Sequence, residues 1–186
     1  MMINKRISTP TLELWLNALA ICGIILLLAL AFAFQFWLKE LPCPLCLLQR
    51  IGFVATCIGF LLNLHYGFRP SHYALSLVAA LFTAFVALRQ IALHIIPGDE
   101  GYGSAIFGLH MYTWSFIISM LIVLFTTVIL GFDIQYNHHR ENFRRFKFII
   151  PLLFVLVLLM AFSNFISTAV ECGFRQCPDN PVNYLW

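Results

Sequence analysis

Charge is scarce in this chain. Only 10% of its 186 residues are Asp, Glu, Lys or Arg, 61% are hydrophobic, and the mean hydropathy is +0.89. That shortage excludes an ordinary soluble domain, in which about 25% of residues are charged. The net charge of +3 is small, and the basic residues divide by side of a membrane instead of lining a groove. Nucleic acid is therefore not an expected partner. A cleaved signal peptide is not expected either, because the first apolar run is about 25 residues long and such peptides use about 7 to 15.

What the chain has in abundance is apolar length. A helix needs about 20 apolar residues to cross the hydrocarbon core of a bilayer. The runs predict five spans: about Leu14 to Leu38, bracketed by Trp15 and Trp37; Pro44 to Leu64; Tyr73 to Ile96, stopped by Pro97-Gly98; Ile106 to Phe132; and Phe148 to Ala169. In the last, Pro151 falls in the first turn and only Ser163, Asn164, Ser167 and Thr168 are polar. The expected fold class is an all-α integral membrane protein, a four-helix transmembrane bundle with a fifth transmembrane helix. One membrane domain accounts for residues 1–186: a four-helix core (1–132), a basic loop with the fifth helix (133–169) and a tail (170–186).

Lys5, Arg6, Arg69, Arg140, Arg144, Arg145 and Lys147 fall on one side of that arrangement, and Lys39, Arg50, Arg89 and Arg175 on the other. The positive-inside rule then places the N-terminus in the cytoplasm and, after an odd number of crossings, the C-terminus outside. Beyond the last cysteine, Asp179, Asn180 and Pro181 read as a solvated end, with Tyr184 and Trp186 able to dip back to the interface.

Cysteine spacing carries the chemistry. Cys43 and Cys46 lie in the first outer connection and Cys172 and Cys177 in the outer tail, while Cys22 and Cys57 lie inside spans and read as small buried hydrophobes. An external compartment is where disulfides persist, so structural staples are one reading of the two outer pairs. Redox activity is the other. If Pro44 takes the first helical position, Cys43 caps the helix and Cys46 sits in its first turn, where free backbone amides favour a thiolate. Arg50 follows four residues later on the same face, about 6 Å away. That setting makes a thiol reactive. By depth, Arg89, His94 and His110 come near the same level. Ionisable groups at membrane depth mark cavities or pathways, so these residues with Arg50 suggest a polar pocket for a lipid-dissolved ligand such as a quinone. No metal is assigned, although four cysteines would also suit a structural zinc site.

The run Cys43-Pro-Leu-Cys46-Leu-Leu-Gln-Arg50, opening a second helix after one long span, resembles the DsbB family of bacterial inner-membrane proteins, over about Trp15 to Phe132. The resemblance implies reoxidation of a periplasmic DsbA-like thiol oxidase, with electrons passed to a membrane quinone, ubiquinone before menaquinone. It implies that Cys46 meets the quinone, that Cys43 is its partner exposed to exchange, and that Arg50 supports both quinone and thiolate. The best-known members carry a second cysteine pair between the third and fourth spans. Pro97 to Ser104 contains none, so Cys172-Cys177 in the tail would have to substitute, receiving electrons from the soluble partner. A quinone-linked reductase of the vitamin K epoxide reductase type shares the chemistry, but there the Cys-x-x-Cys lies late in the helical core.

Overall fold

An apolar core with buried polar side chains among it, and large apolar side chains also left outside, set this architecture. The computed structural model describes residues 9–96, 98, 101–137, 148–173, 175, 177 and 184. The expected cytoplasmic cations Lys5, Arg6, Arg140, Arg144, Arg145 and Lys147 lie outside the described residues, as do Pro97, Asp179, Asn180, Pro181 and Trp186. Five helices follow in order: α1 Thr9–Trp37, α2 Pro44–Tyr66, α3 Pro70–Leu93, α4 Met111–Leu130 and α5 Ile149–Cys172. All five are long and apolar enough to cross a membrane.

Each helix buries one stripe. On α1 it runs Leu14, Ala18, Ile21, Ile24, Leu28, Phe32 and Gln35, in steps of three or four, while Leu19, Leu26, Leu30 and Phe36 stay exposed. On α5 the buried positions Leu153, Val157, Asn164, Ser167 and Glu171 again share one face, with Cys172 also buried at the helix end. The leucines and phenylalanines left outside suit lipid contact, where they meet no hydrophobic penalty.

Helices α2 and α3 form the closest pair, and small residues are the reason. A β-carbon placed on Gly52 would collide with the Thr83 hydroxyl, and one on Gly59 with the Ser76 hydroxyl and the His72 carbonyl. The two glycines stand seven residues apart on one face, so the helices touch along two turns. Helix α4 packs on α3, and α5 packs on α2 and α1. At the end of the bundle far from Cys43, side-chain bonds tie elements together. The Asn17 amide donates to the Tyr73 hydroxyl (2.9 Å) and the Tyr73 hydroxyl to Gln135 (2.9 Å), while Asn63 donates to Asn17 (3.2 Å).

Several boundaries differ from expectation. Helix α3 starts at Pro70, whose fixed φ suits a first helical position, and ends at Leu93, with His94 as its C-cap. A two-strand hairpin, β1 Ala105–Ile106 and β2 Leu109–His110, occupies the expected start of the fourth span and delays α4 to Met111. Its turn residues Phe107 (φ 52°) and Gly108 (φ 78°) are both left-handed, the twist a two-residue hairpin requires. Helix α5 runs on to Cys172 and ends at Gly173 (φ 60°), so the first cysteine of the expected tail pair belongs to the helix. The interior shelters the polar Glu171 at this end, allowing helix where the apolar run stops.

Candidate active site

Alternating helix directions bring the end of α1, the start of α2, the end of α3, the start of α4 and the end of α5 to one end of the bundle. The site starts at the α2 N-terminus. Pro44 occupies the first turn and Cys43 is the cap, its sulfur accepting the Cys46 backbone N–H at 3.1 Å. Cys43 and Cys46 are joined as a disulfide, and so are Cys172 and Cys177. These four cysteines therefore pair locally, and Cys22 and Cys57 remain free thiols. Cys57 is fully buried as expected, whereas Cys22 is exposed on the outer face of α1.

Within the first pair the exposures run against the expected order. Cys43 is only 5% exposed, while Cys46 is partly exposed and lines a pocket. A glutamine explains this. Gln90, on the last turns of α3, donates its side-chain amide to the Cys43 sulfur at 3.1 Å and lies 3.5 Å from that of Cys46. Gln49 donates in turn to the Gln90 carbonyl at 2.8 Å.

A pocket lies beside Cys46, part of it open to the surroundings. Its walls are Leu27, Leu28, Ala31 and Phe34 of α1, Phe53 of α2 and Met111 of α4, with Gln35, Gln49, Arg50, Tyr102 and Tyr112 supplying polar atoms. Arg50 is buried and directed toward α1. It donates to the Gln35 side-chain carbonyl (2.7 Å) and the Ala31 backbone carbonyl (3.3 Å), and its guanidinium carbon lies 4.6 Å from the centre of the Phe32 ring. Gln35 passes the contact on, donating to Ser167 of α5 (2.8 Å) and to the Tyr184 hydroxyl (3.1 Å). The fifth helix thus braces the arginine through one amide.

A strap closes the top. Tyr102 donates its hydroxyl to the Leu41 carbonyl, and Ser104 donates its backbone N–H to Glu40 at 3.1 Å, with its hydroxyl bonded to the same carboxylate. The connection after α3 is thereby tied to the one before Cys43. Burial, with the carboxylates of Glu171 and Glu40 adding, pushes the Tyr102 phenol up to about 12, so it remains a protonated donor across the physiological range.

The other expected pocket residues are placed differently. Arg89 is exposed and absent from the pocket wall, because one residue along a helix turns a side chain by about 100°, and it is Gln90 that faces inward. His94 and His110 do not line the pocket. They sandwich a residue that does: Tyr112 stacks on His94 at 5.6 Å and on His110 at 5.3 Å between ring centres. His110 also bonds the Gly103 carbonyl through Nδ1 (3.0 Å). A scan for charge at membrane depth passes over the neutral amides of Gln35, Gln49 and Gln90. It also passes over Glu171, which follows the last apolar run and reads as solvated.

Comparison with known proteins matches a stretch that covers just under half of the chain. Residues 13–101 match the family model described as Disulfide bond formation protein DsbB. The protein named Disulfide bond formation protein B of Chromobacterium violaceum is 41% identical over 39% of this chain and 47% of its own length. Its namesakes in Stutzerimonas stutzeri and Marinobacter nauticus are 34% and 38% identical, each over 46% of this chain and over 55% and 54% of their own lengths. The chain spans about half the length of the curated relatives it matches. No solved structure matches it significantly. The matched stretch, residues 13–101, carries the Cys43–Cys46 pair, Arg50 and Gln90, and over that stretch the chain is similar to the DsbB family of disulfide bond formation proteins.

Proposed function

We propose that this multi-pass membrane protein reoxidises a DsbA-like thiol oxidase and hands the electrons to a membrane quinone, ubiquinone in the first instance. The single observation that carries the reading is the Cys43–Cys46 disulfide at the start of α2, one of whose sulfurs lines an apolar-walled pocket that also holds the buried Arg50. The pocket residues fit a quinone. Apolar walls suit its ring, and the guanidinium and glutamine amides are donors matched to carbonyl oxygens. A bound quinone supplies a two-electron, two-proton acceptor.

In this reading the chain is one membrane domain in the bacterial inner membrane. Its N-terminus faces the cytoplasm, and the end that carries both disulfides faces the periplasm. A reduced partner's thiolate attacks the Cys172–Cys177 disulfide, and exchange then opens Cys43–Cys46. Cys43, held under Gln90, becomes reachable once its bond to that amide is released. Cys46 carries the thiolate against the pocket, Arg50 steadies the negative charge there, and Gln35 keeps the guanidinium aimed.

Purified protein given reduced partner and a soluble quinone analogue tests the proposal. Dithiol-dependent quinone reduction should be present in wild type and abolished by Cys43→Ser or Cys46→Ser. Cys172→Ser should block only electron entry from the partner. If Cys172→Ser oxidises the partner at the wild-type rate, the partner attacks Cys43–Cys46 directly and the tail relay is wrong. Absence of any quinone reduction in wild type overturns the reading.

A further inference from the structure

One buried ionisable group has no part in that scheme. Glu171 is 0% exposed, and neither carboxylate oxygen has a hydrogen-bond partner. A carboxylate left so is costly in a low-dielectric interior, unless a cation compensates it or a proton neutralises it. Among the described residues, the cation with which it interacts electrostatically is Arg50, on α2. The other ionisable groups around the two are Tyr102 of the strap, which feels both Glu171 and Glu40, and Tyr184 of the tail, which feels Arg50. Its chain neighbour Cys172 is locked in the second disulfide. Glu171 therefore adjoins one redox pair in the chain and interacts with the guanidinium that lines the pocket beside the other.

We propose that Glu171 is a positioning carboxyl that exchanges a proton in step with the Cys43–Cys46 pair, ionised beside Arg50 while the disulfide is closed and protonated when the opened pair carries a Cys46 thiolate. This inference rests on the redox reading above. One guanidinium cannot fully compensate two anions away from water, so arrival of the second drives a proton onto the first. The balance closes in both directions. On reduction, a partner dithiol gives two electrons and two protons; the Cys43–Cys46 bond breaks, Cys43 keeps one proton as a thiol, Glu171 takes the other, and Cys46 remains a thiolate. On reoxidation, the two sulfurs rejoin and two electrons leave to the quinone. The Cys43 thiol and Glu171 surrender the two protons that convert it to quinol, and the carboxylate returns to Arg50.

The test starts from quinone-free protein in detergent, reduced with a small dithiol and followed by infrared difference spectroscopy. Wild type should gain a protonated-carboxyl band on reduction. The Cys43→Ser/Cys46→Ser protein, in which only Cys172–Cys177 can open, should not. Glu171→Asp should shift the band and Glu171→Gln remove it. A missing band in wild type, or one that survives in the double serine protein, overturns the assignment without any need for a Glu171 variant to fold. A second readout is the pH profile of quinone reduction by pre-reduced protein. Wild type carries its second proton internally and should stay level between about pH 6 and 8; Glu171→Gln must draw it from solvent and should slow by up to about tenfold per pH unit. A merely structural glutamate would give no such slope. If wild type reduces no quinone, the functional reading fails; if it does and Glu171→Gln keeps the same profile, only the role of Glu171 fails.

Discussion

The Gln90 side-chain amide of α3 donates to the Cys43 sulfur at 3.1 Å, across the closest helix pair in the bundle. Because Gln49 fills the Gln90 carbonyl, the amide cannot flip without losing a bond, so the N–H end is fixed toward the disulfide. The same N–H group lies 3.5 Å from the Cys46 sulfur, and a donor there stabilises the Cys46 thiolate more than the disulfide, since bonds to charged acceptors are about twice as strong. Gln90→Leu should therefore make the Cys43–Cys46 pair harder to reduce. A loss of about 1.5 kcal/mol, the lower range for a bond to a charged group, lowers a two-electron potential by about 30 mV. Equilibration in glutathione buffers, with alkylation and mass analysis of the Cys43 peptide, reads the shift. An unchanged potential would mean the amide serves packing only.

Arg50 is tied to α1 by a fork, one nitrogen to Gln35 and another to the Ala31 carbonyl, with Phe32 beneath. A lysine offers a single ammonium that cannot span those acceptors, so the usual conservative exchange should fail. Arg50→Lys is expected to raise the KM for quinone about tenfold or more, the equivalent of one lost bond to a charged group. Gln35→Leu should follow in the same direction, because it removes the main acceptor and the link to Ser167. Steady-state titration with a soluble quinone analogue separates KM from kcat. Normal KM values in both variants would contradict the placement of Arg50 at the quinone.

The α2–α3 contact tolerates no side chain at Gly59, where a β-carbon would meet both a hydroxyl and a backbone carbonyl. Gly23 on α1 has open space around it. Gly59→Val should lower thermal stability in detergent by about 1 to 3 kcal/mol, the usual range for overpacking. Gly23→Ala should be neutral or slightly stabilising, because alanine costs less backbone entropy in a helix. Equal melting temperatures for the two variants would show that the helices can separate without penalty.

Apolar length made all five helices legible, since nothing else explains runs of that size. The Cys43 cap and the Pro44 first turn were legible too, because capping and proline rules are local. Side-chain direction was harder. Arg89 and Gln90 are neighbours, and no local rule tells which one points at Cys43; the positions of Gly52 and Gly59 against Thr83 and Ser76 decide it by fixing how α2 and α3 rotate. The hairpin at 105–110 was hidden because Ile106, Phe107 and Leu109 read as the start of an apolar helix. Glu171 was hidden for the opposite reason, a charge at the end of an apolar run that the fold buries.

The strap between the first connection and the loop after α3 has two anchors, Tyr102 on the Leu41 carbonyl and Ser104 on the Glu40 carboxylate. Each neutral bond is worth about 1 kcal/mol, so Tyr102→Phe should raise local opening of the loop about fivefold. With Glu40→Gln added, the anchors fail together and the combined effect should exceed the sum, as for groups sharing one loop. Hydrogen exchange at the Ser104 amide, which donates to Glu40, reports the opening directly. The pH dependence has a definite sign. The Tyr102 phenol is raised from 10.0 to about 12, so its contribution is complete below pH 10 and is lost as pH rises through about 12. Between about pH 7 and 9 the corrected exchange rate should therefore stay constant in wild type. A loop that opens no faster in Tyr102→Phe would show that the phenol contributes nothing to holding the strap over Cys43.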